Sequence, residues 1–170
     1  MCLCCREFIR QGTEIMDQYA VIEQMKSMIG QEIGVSDWFL IDQNRINQFC
    51  ECTEDTQWIH TDIVKAATGP FGKTIAPGFL ALSLISAMSK SKQLAFDESH
   101  VQMLINYGLN KVRFLNPIFV DSRIRSRMVL TDVEEKTPER VLVTTKHTIE
   151  IEGANEPACI VEIIGLFILK

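Results

Sequence analysis

The sequence lacks a long hydrophobic run. Its apolar stretches are interrupted by polar or charged residues, Glu162 among them, and none approaches the ~20 residues that cross a bilayer. No membrane partner is expected. It also lacks a basic excess: 17 Lys and Arg stand against 22 Asp and Glu, a net charge of −5. That balance argues against nucleic acid as a partner, because neutralising phosphates needs a basic face. No charged opening segment runs into an apolar stretch, so no secretory signal is evident and a cytoplasmic location is expected. A Gly-rich phosphate loop, a serine nucleophile elbow and an array of metal ligands are all missing. No internal repeat or low-complexity linker divides the chain.

The six cysteines do not supply a metal site either. Cys2, Cys4 and Cys5 cluster near the start, with Cys50, Cys52 and Cys159 elsewhere. No histidine or second cysteine pair sits at the spacing a zinc site uses, so no metal is expected. Cys50 and Cys52 read as small, reduced, mostly buried side chains on a helix. Arg113, Arg123, Arg125 and Arg127 are either a basic patch for a phosphorylated carrier or a solvated strand face.

What is present fits one ordinary globular domain. The 170 residues are 46% hydrophobic and 23% charged, enough to bury a real core. Residues 1–16 are poorly patterned and read as an N-terminal extension, and 17–170 as a single domain. From Tyr19 to Ile33 apolar residues recur at three- and four-residue steps, which predicts an amphipathic helix that Gly34 stops. Trp38 to Asp42 reads as a short strand, and Gln43 to Cys52 as a second helix. Thr61 is a plausible N-cap for a short helix ended by Gly69-Pro70. Gly78 to Lys92 is apolar almost all round, as in a helix buried on most sides. Four long β-branched segments follow: Val101–Phe114, Arg123–Val133, Val141–Glu152 and Ala158–Leu169. Turn residues separate them at Asn116-Pro117, Lys136 to Pro138 and Gly153 to Asn155. A mostly buried helix with antiparallel strands is an α+β fold.

One stretch carries chemistry: Asp55-Thr-Gln-Trp-Ile-His60-Thr-Asp62. On a continuous helix, five residues at about 100° each leave Asp55 and His60 roughly 140° apart. They meet only if the backbone leaves the helix near Asp55. If they do meet, the pair can hold one water and move protons to and from it. Read singly, Asp55 fits a helix-end or Asx-turn residue better than a catalytic one, and His60 a partly buried, hydrogen-bonded structural histidine; read together with the motif downstream, the two favour chemistry. Asp62 reads as a helix-start residue. His100 and His147 belong to no motif and read as structural or exposed.

The run Glu54-Asp55-Thr-Gln57-Trp58-Ile-His60-Thr-Asp62, followed by Ile75-Ala-Pro77-Gly78, resembles the MaoC-like dehydratase family. This is the group of hydratase 2, the R-specific enoyl-CoA hydratases. With Asn106 to Phe114 it looks most like the nodulation-protein-N-like branch, and the resemblance runs from about Trp38 to the C-terminus. It implies a hotdog fold, an antiparallel sheet wrapped around a long mostly buried helix. It also implies a homodimer that pairs two sheets edge to edge.

The implied activity is hydration of trans-2-enoyl thioesters of CoA or an acyl-carrier protein, or the reverse dehydration, with no cofactor. By resemblance Asp55 accepts and donates protons and His60 orients the water. The Gly78 N–H holds the thioester oxyanion, as suits a helix N-terminus. Ser86 aligns with a family serine that bonds the carboxylate, and Ser83 lies one turn earlier. Pro77 stands where the family commonly has histidine, and lacks an N–H to donate. Trp58 lines the acyl pocket or belongs to the core. Two alternatives stay open, a hotdog acyl thioesterase and a non-catalytic acyl-binding protein. The intact Asp55 and His60 weigh against the second.

Overall fold

The computed structural model describes residues 18–90 and 98–170. The expected N-terminal extension, with Cys2, Cys4 and Cys5, lies outside this range, as do Ser91 and Lys92 at the expected end of the apolar helix. The chain is helical over 18–27 (α1) and then turns. The sequence periodicity predicts this helix through Ile33, but it stops early because Gly30 takes φ +85°, where a glycine meets no Cβ penalty. Gly30 N–H donates to Leu130 O at 2.7 Å, which turns the chain onto the sheet. Ile33 therefore lies in strand β1 (Glu32–Val35).

Strand β2 (Phe39–Ile41) leads into α2 (Gln43–Thr53), capped by Asp42, whose side chain accepts from Arg45 N. Two short helices follow, α3 (Trp58–Thr61) and α4 (Ile63–Ala67). The residue that caps α4 is Asp62, accepting from Lys65 N at 2.9 Å, rather than the expected Thr61, which lies inside α3. Helix α5 spans Gly78–Lys90. After a 3-10 turn come β3 (Val101–Phe114), β4 (Ser122–Thr137), β5 (Arg140–Ile151) and β6 (Cys159–Leu169).

All pairings are antiparallel, in the order β1-β4-β5-β6-β3, with β2 pairing further along β4. Thr137 opposite Arg140 makes the β4–β5 hairpin tight. Period-two alternation sorts the faces. Ile124, Ser126, Met128 and Leu130 of β4 are buried, while Arg123, Arg125 and Arg127 between them are not. Leu80, Ala81, Ile85 and Met88 of α5 are buried in one core with Ile124, Ile149 and Val161. Val21, Ile22 and Met25 of α1 pack with Met128, Val141 and Val143 in a second. This is the hotdog arrangement. The inner side of α5 is buried as expected, whereas Phe79 on its outer side is 68% exposed.

The alternating arginines form a paired, solvated ladder. Arg123 meets Glu152 at 3.0 Å, and Arg125 and Arg127 meet Glu150 at 2.6 and 2.9 Å. Arg127 also reaches Glu32, and Arg125 lies 4.5 Å over Trp38. Their charge is balanced locally. Arg113 stands apart on β3 and donates to Val112 O. Among the described residues no helix is long and apolar enough to cross a membrane.

Candidate active site

The site begins where α2 ends. Glu54 takes the left-handed conformation, φ 58°, and its N–H donates back to Glu51 O. The chain thus leaves the helix just before Asp55, as convergence with His60 requires. Asp55 Oδ1 accepts from Gln57 Nε2 at 3.1 Å and from Gln57 N at 3.4 Å, an Asx turn that fixes the carboxylate. One turn of α3 then brings His60 inward, 5% exposed. His60 Nε2 lies 3.8 Å from Asp55 Oδ2. The structure brings these two sequence candidates together.

The imidazole is oriented from behind. His60 Nδ1 is 2.7 Å from Ile75 O. A carbonyl only accepts, so Nδ1 carries a proton and Nε2 is the nitrogen turned to Asp55. Ile75 N–H donates to Ile59 O at 3.0 Å, tying the segment before α5 to α3. Gln43 completes the frame. Its Nε2 donates to His60 O at 2.8 Å and its Oε1 accepts from Thr74 Oγ1 at 2.5 Å. The Cys50 thiol is pushed up by burial and further by the charge of Asp55. Cys52, on the same helix, is exposed.

The pair opens into a cavity of about 770 Å³ that Gln57, Pro77, Gly78, Phe79 and Phe114 also line. Pro77 O accepts from Leu80 N at 3.0 Å. The Gly78 N–H meets no acceptor among the described residues, so it is one of the free amides that every helix start presents. A Cβ on Gly78 would lie 2.9 Å from two Phe114 ring carbons. The Phe114 ring therefore closes on the glycine and pairs with Phe79 at 5.9 Å, forming an apolar wall beside a free N–H. A base pair, a free amide and an apolar wall in one cleft are equipped to activate water against a carbonyl compound with an apolar tail.

Of the other sequence candidates, Ser86 and Trp58 lie outside this cleft. Ser86 lines a second cavity further along α5, not the cleft of Asp55. Ser83 lines the cleft, with its hydroxyl donating to Phe79 O, the back-bonding common for serine in helices. Trp58 is half-buried against Gly69 with Lys65 Nζ 4.9 Å from its ring. Among the described residues no three His, Cys, Asp or Glu side chains converge to hold a metal ion. Gln57, Gln43 and Thr74 were not legible as site residues. Only Gln57 carried a local signal, being the third residue of an Asx turn that starts at Asp55.

Fold and cleft together define a hotdog domain with an Asp/His pair at the N-terminal end of its central helix. Residues 24–152 match the family described as MaoC like domain, and the chain belongs to that family. It is 39% identical over 153 residues to 3-hydroxyacyl-thioester dehydratase Z of Mycobacterium tuberculosis, covering 90% of this chain and 99% of that one. It is 43% identical over 138 residues to nodulation protein N of Rhizobium leguminosarum bv. viciae, covering 81% and 84%. The solved (R)-hydratase from A. caviae involved in PHA biosynthesis shares the fold at TM-score 0.64. It is 21% identical, covering 79% of this chain and 95% of that one.

Proposed function

We propose that this protein adds water across C2=C3 of trans-2-enoyl thioesters of CoA or an acyl-carrier protein, and removes it in the reverse direction. The observation that carries the reading is the 3.8 Å approach of Asp55 Oδ2 and His60 Nε2 in the cleft that holds the free Gly78 N–H. A carboxylate oxygen and an unprotonated imidazole nitrogen are both acceptors, so a water placed against them donates a hydrogen to each. As its oxygen bonds to C3, the pair takes one proton. Negative charge then moves onto the thioester oxygen, where the Gly78 N–H receives it. A proton returned by the pair to C2 completes the addition.

The test is incubation with crotonyl-CoA, following enoyl absorbance and free thiol in parallel. Absorbance loss without thiol supports the hydratase. Thiol release would replace it with a thioesterase.

The same reading includes a homodimer and a cytoplasmic location, where acyl thioesters are handled. For the dimer the support is β3. Among the described residues it pairs only with β6, and its Met103, Leu104, Tyr107 and Leu109 are each more than half exposed. A long apolar edge strand left open invites edge-to-edge pairing.

A further inference from the structure

A second cavity, about 810 Å³, lies along the same seam between α5 and the sheet. The first takes Gly78 and Ala81 from α5 and Cys159 from β6. The second takes Ile85 and Ser89 from α5 and Ile163 and Phe167 from β6. The two follow each other along one helix, Gly78 and Ser86 being about 12 Å apart on its axis.

Of the residues lining the second cavity, the one buried polar side chain is His147, 3% exposed. Met128, Val143 and Phe167 line the same cavity, Met128 standing opposite His147 in the β4–β5 register. His147 Nδ1 is 2.9 Å from Ser126 Oγ, and Ser126 is fully buried. Among the described residues the Ser126 hydroxyl has no other acceptor, so its proton goes to Nδ1 and the ring keeps its own proton on Nε2. That N–H meets no acceptor among the described residues. Among the described residues no fully buried side-chain polar atom is left without a partner, so Nε2 belongs to the cavity surface rather than the packed core. Burial lowers the His147 pKa to about 4, which keeps the ring neutral at pH 7.

Ser86, Asn106 and Thr145 also line the cavity but are not buried; the buried neutral N–H donor of His147 is unsuited to a plain hydrocarbon, which would leave it unpaired. It suits an apolar chain that carries an oxygen. We infer that the second cavity receives the distal part of an acyl chain bearing a neutral oxygen function, a hydroxyl, keto or ether group, which accepts a hydrogen bond from His147 Nε2. This rests on the hydratase reading, and it makes His147 a specificity-determining residue for that substrate class.

The test compares trans-2-dodecenoyl-CoA with analogues in which an ether oxygen replaces a methylene in the outer half of the chain. The expected result is a kcat/KM about three- to tenfold higher for the best analogue, the worth of one neutral hydrogen bond. His147→Phe should abolish that ratio. No preference in the wild type, or the same preference in the variant, would overturn the inference. A second readout needs no variant. The Nε2 resonance of ¹⁵N-labelled His147 should move with a bound ether analogue and stay put with the plain chain, and equal movement with both would overturn it. Crotonyl-CoA separates the two claims. If the wild type fails to hydrate this short substrate, the hydratase reading falls, and the resonance alone then decides whether the cavity selects oxygen.

Discussion

Gln43 is the residue whose replacement should separate positioning from mere support. It joins three segments through bonds to His60 O, Thr74 Oγ1 and Asn47 Oδ1. Thr74 is 2% exposed, so Gln43→Leu strands a buried hydroxyl as well as a carbonyl. Leaving a buried partner unsatisfied costs about 1–3 kcal/mol. Taking about 2 kcal/mol, a chain of this size should lose roughly 4–8 °C in Tm. The effect on chemistry follows from geometry. The 3.8 Å spacing depends on where α3 sits, and a misplacement of about 1 Å in a reacting group costs on the order of 100-fold. We expect kcat on crotonyl-CoA to fall at least tenfold, with KM changing far less. Gln43→Glu keeps an acceptor for Thr74 but turns an oxygen toward His60 O. It should recover part of the stability, through the Thr74 bond, without recovering kcat. Steady-state kinetics and thermal melts on both variants are the assay. Gln43→Leu with a lowered Tm and unchanged kcat would refute the reasoning.

Three further expectations follow from the structure. Gly78→Ala retains the N–H but drives a methyl into the Phe114 ring, at 2.9 Å. It should cost about 1 kcal/mol of stability and raise KM, and Gly78→Ala combined with Phe114→Ala should restore KM; no recovery in the double variant would refute the contact. Buried His147 has its pKa lowered from 6.5 to about 4. As pH falls below 6.5 the unfolded chain takes a proton that the folded one refuses until about pH 4. Stability should therefore decline across that window by up to about 3 kcal/mol and be flat in this respect above it. Urea titrations from pH 7 to 4 check this, and His147→Phe should lack the decline. Finally, Tyr107→Lys with Leu109→Lys on β3 should convert a dimer to a monomer by light scattering, and a wild-type monomer would remove the dimer from the account.

Much of the fold was legible because its signals are local. The β-branched runs gave four long strands within a few residues of their ends, and the apolar run from Gly78 gave the central helix. The helix from Tyr19 was overextended because Ile29 and Ile33 continue its period, while Gly30, at φ +85°, ends it. Apolar patterning reports burial, not which element does the burying. The meeting of Asp55 and His60 was legible as a condition, that the chain break helix between them, and Glu54 at φ 58° supplies the break. The bracing by Gln43 and Thr74 was not legible, because the two are far apart in sequence and neither belongs to a local motif. His147 was set aside for the same reason. Its meaning comes from Ser126 on the neighbouring strand and from a cavity that no periodicity announces.

The central claim is that Asp55 and His60 act as one unit on water, and a double-mutant cycle on hydration tests it most directly. We would measure kcat/KM on crotonyl-CoA for the wild type, Asp55→Asn, His60→Ala and the double variant. The account expects each single variant to lose about 100-fold or more, and the double variant to lose little beyond the larger single loss. Independent, multiplying losses, or a single variant that keeps wild-type hydration, would contradict it.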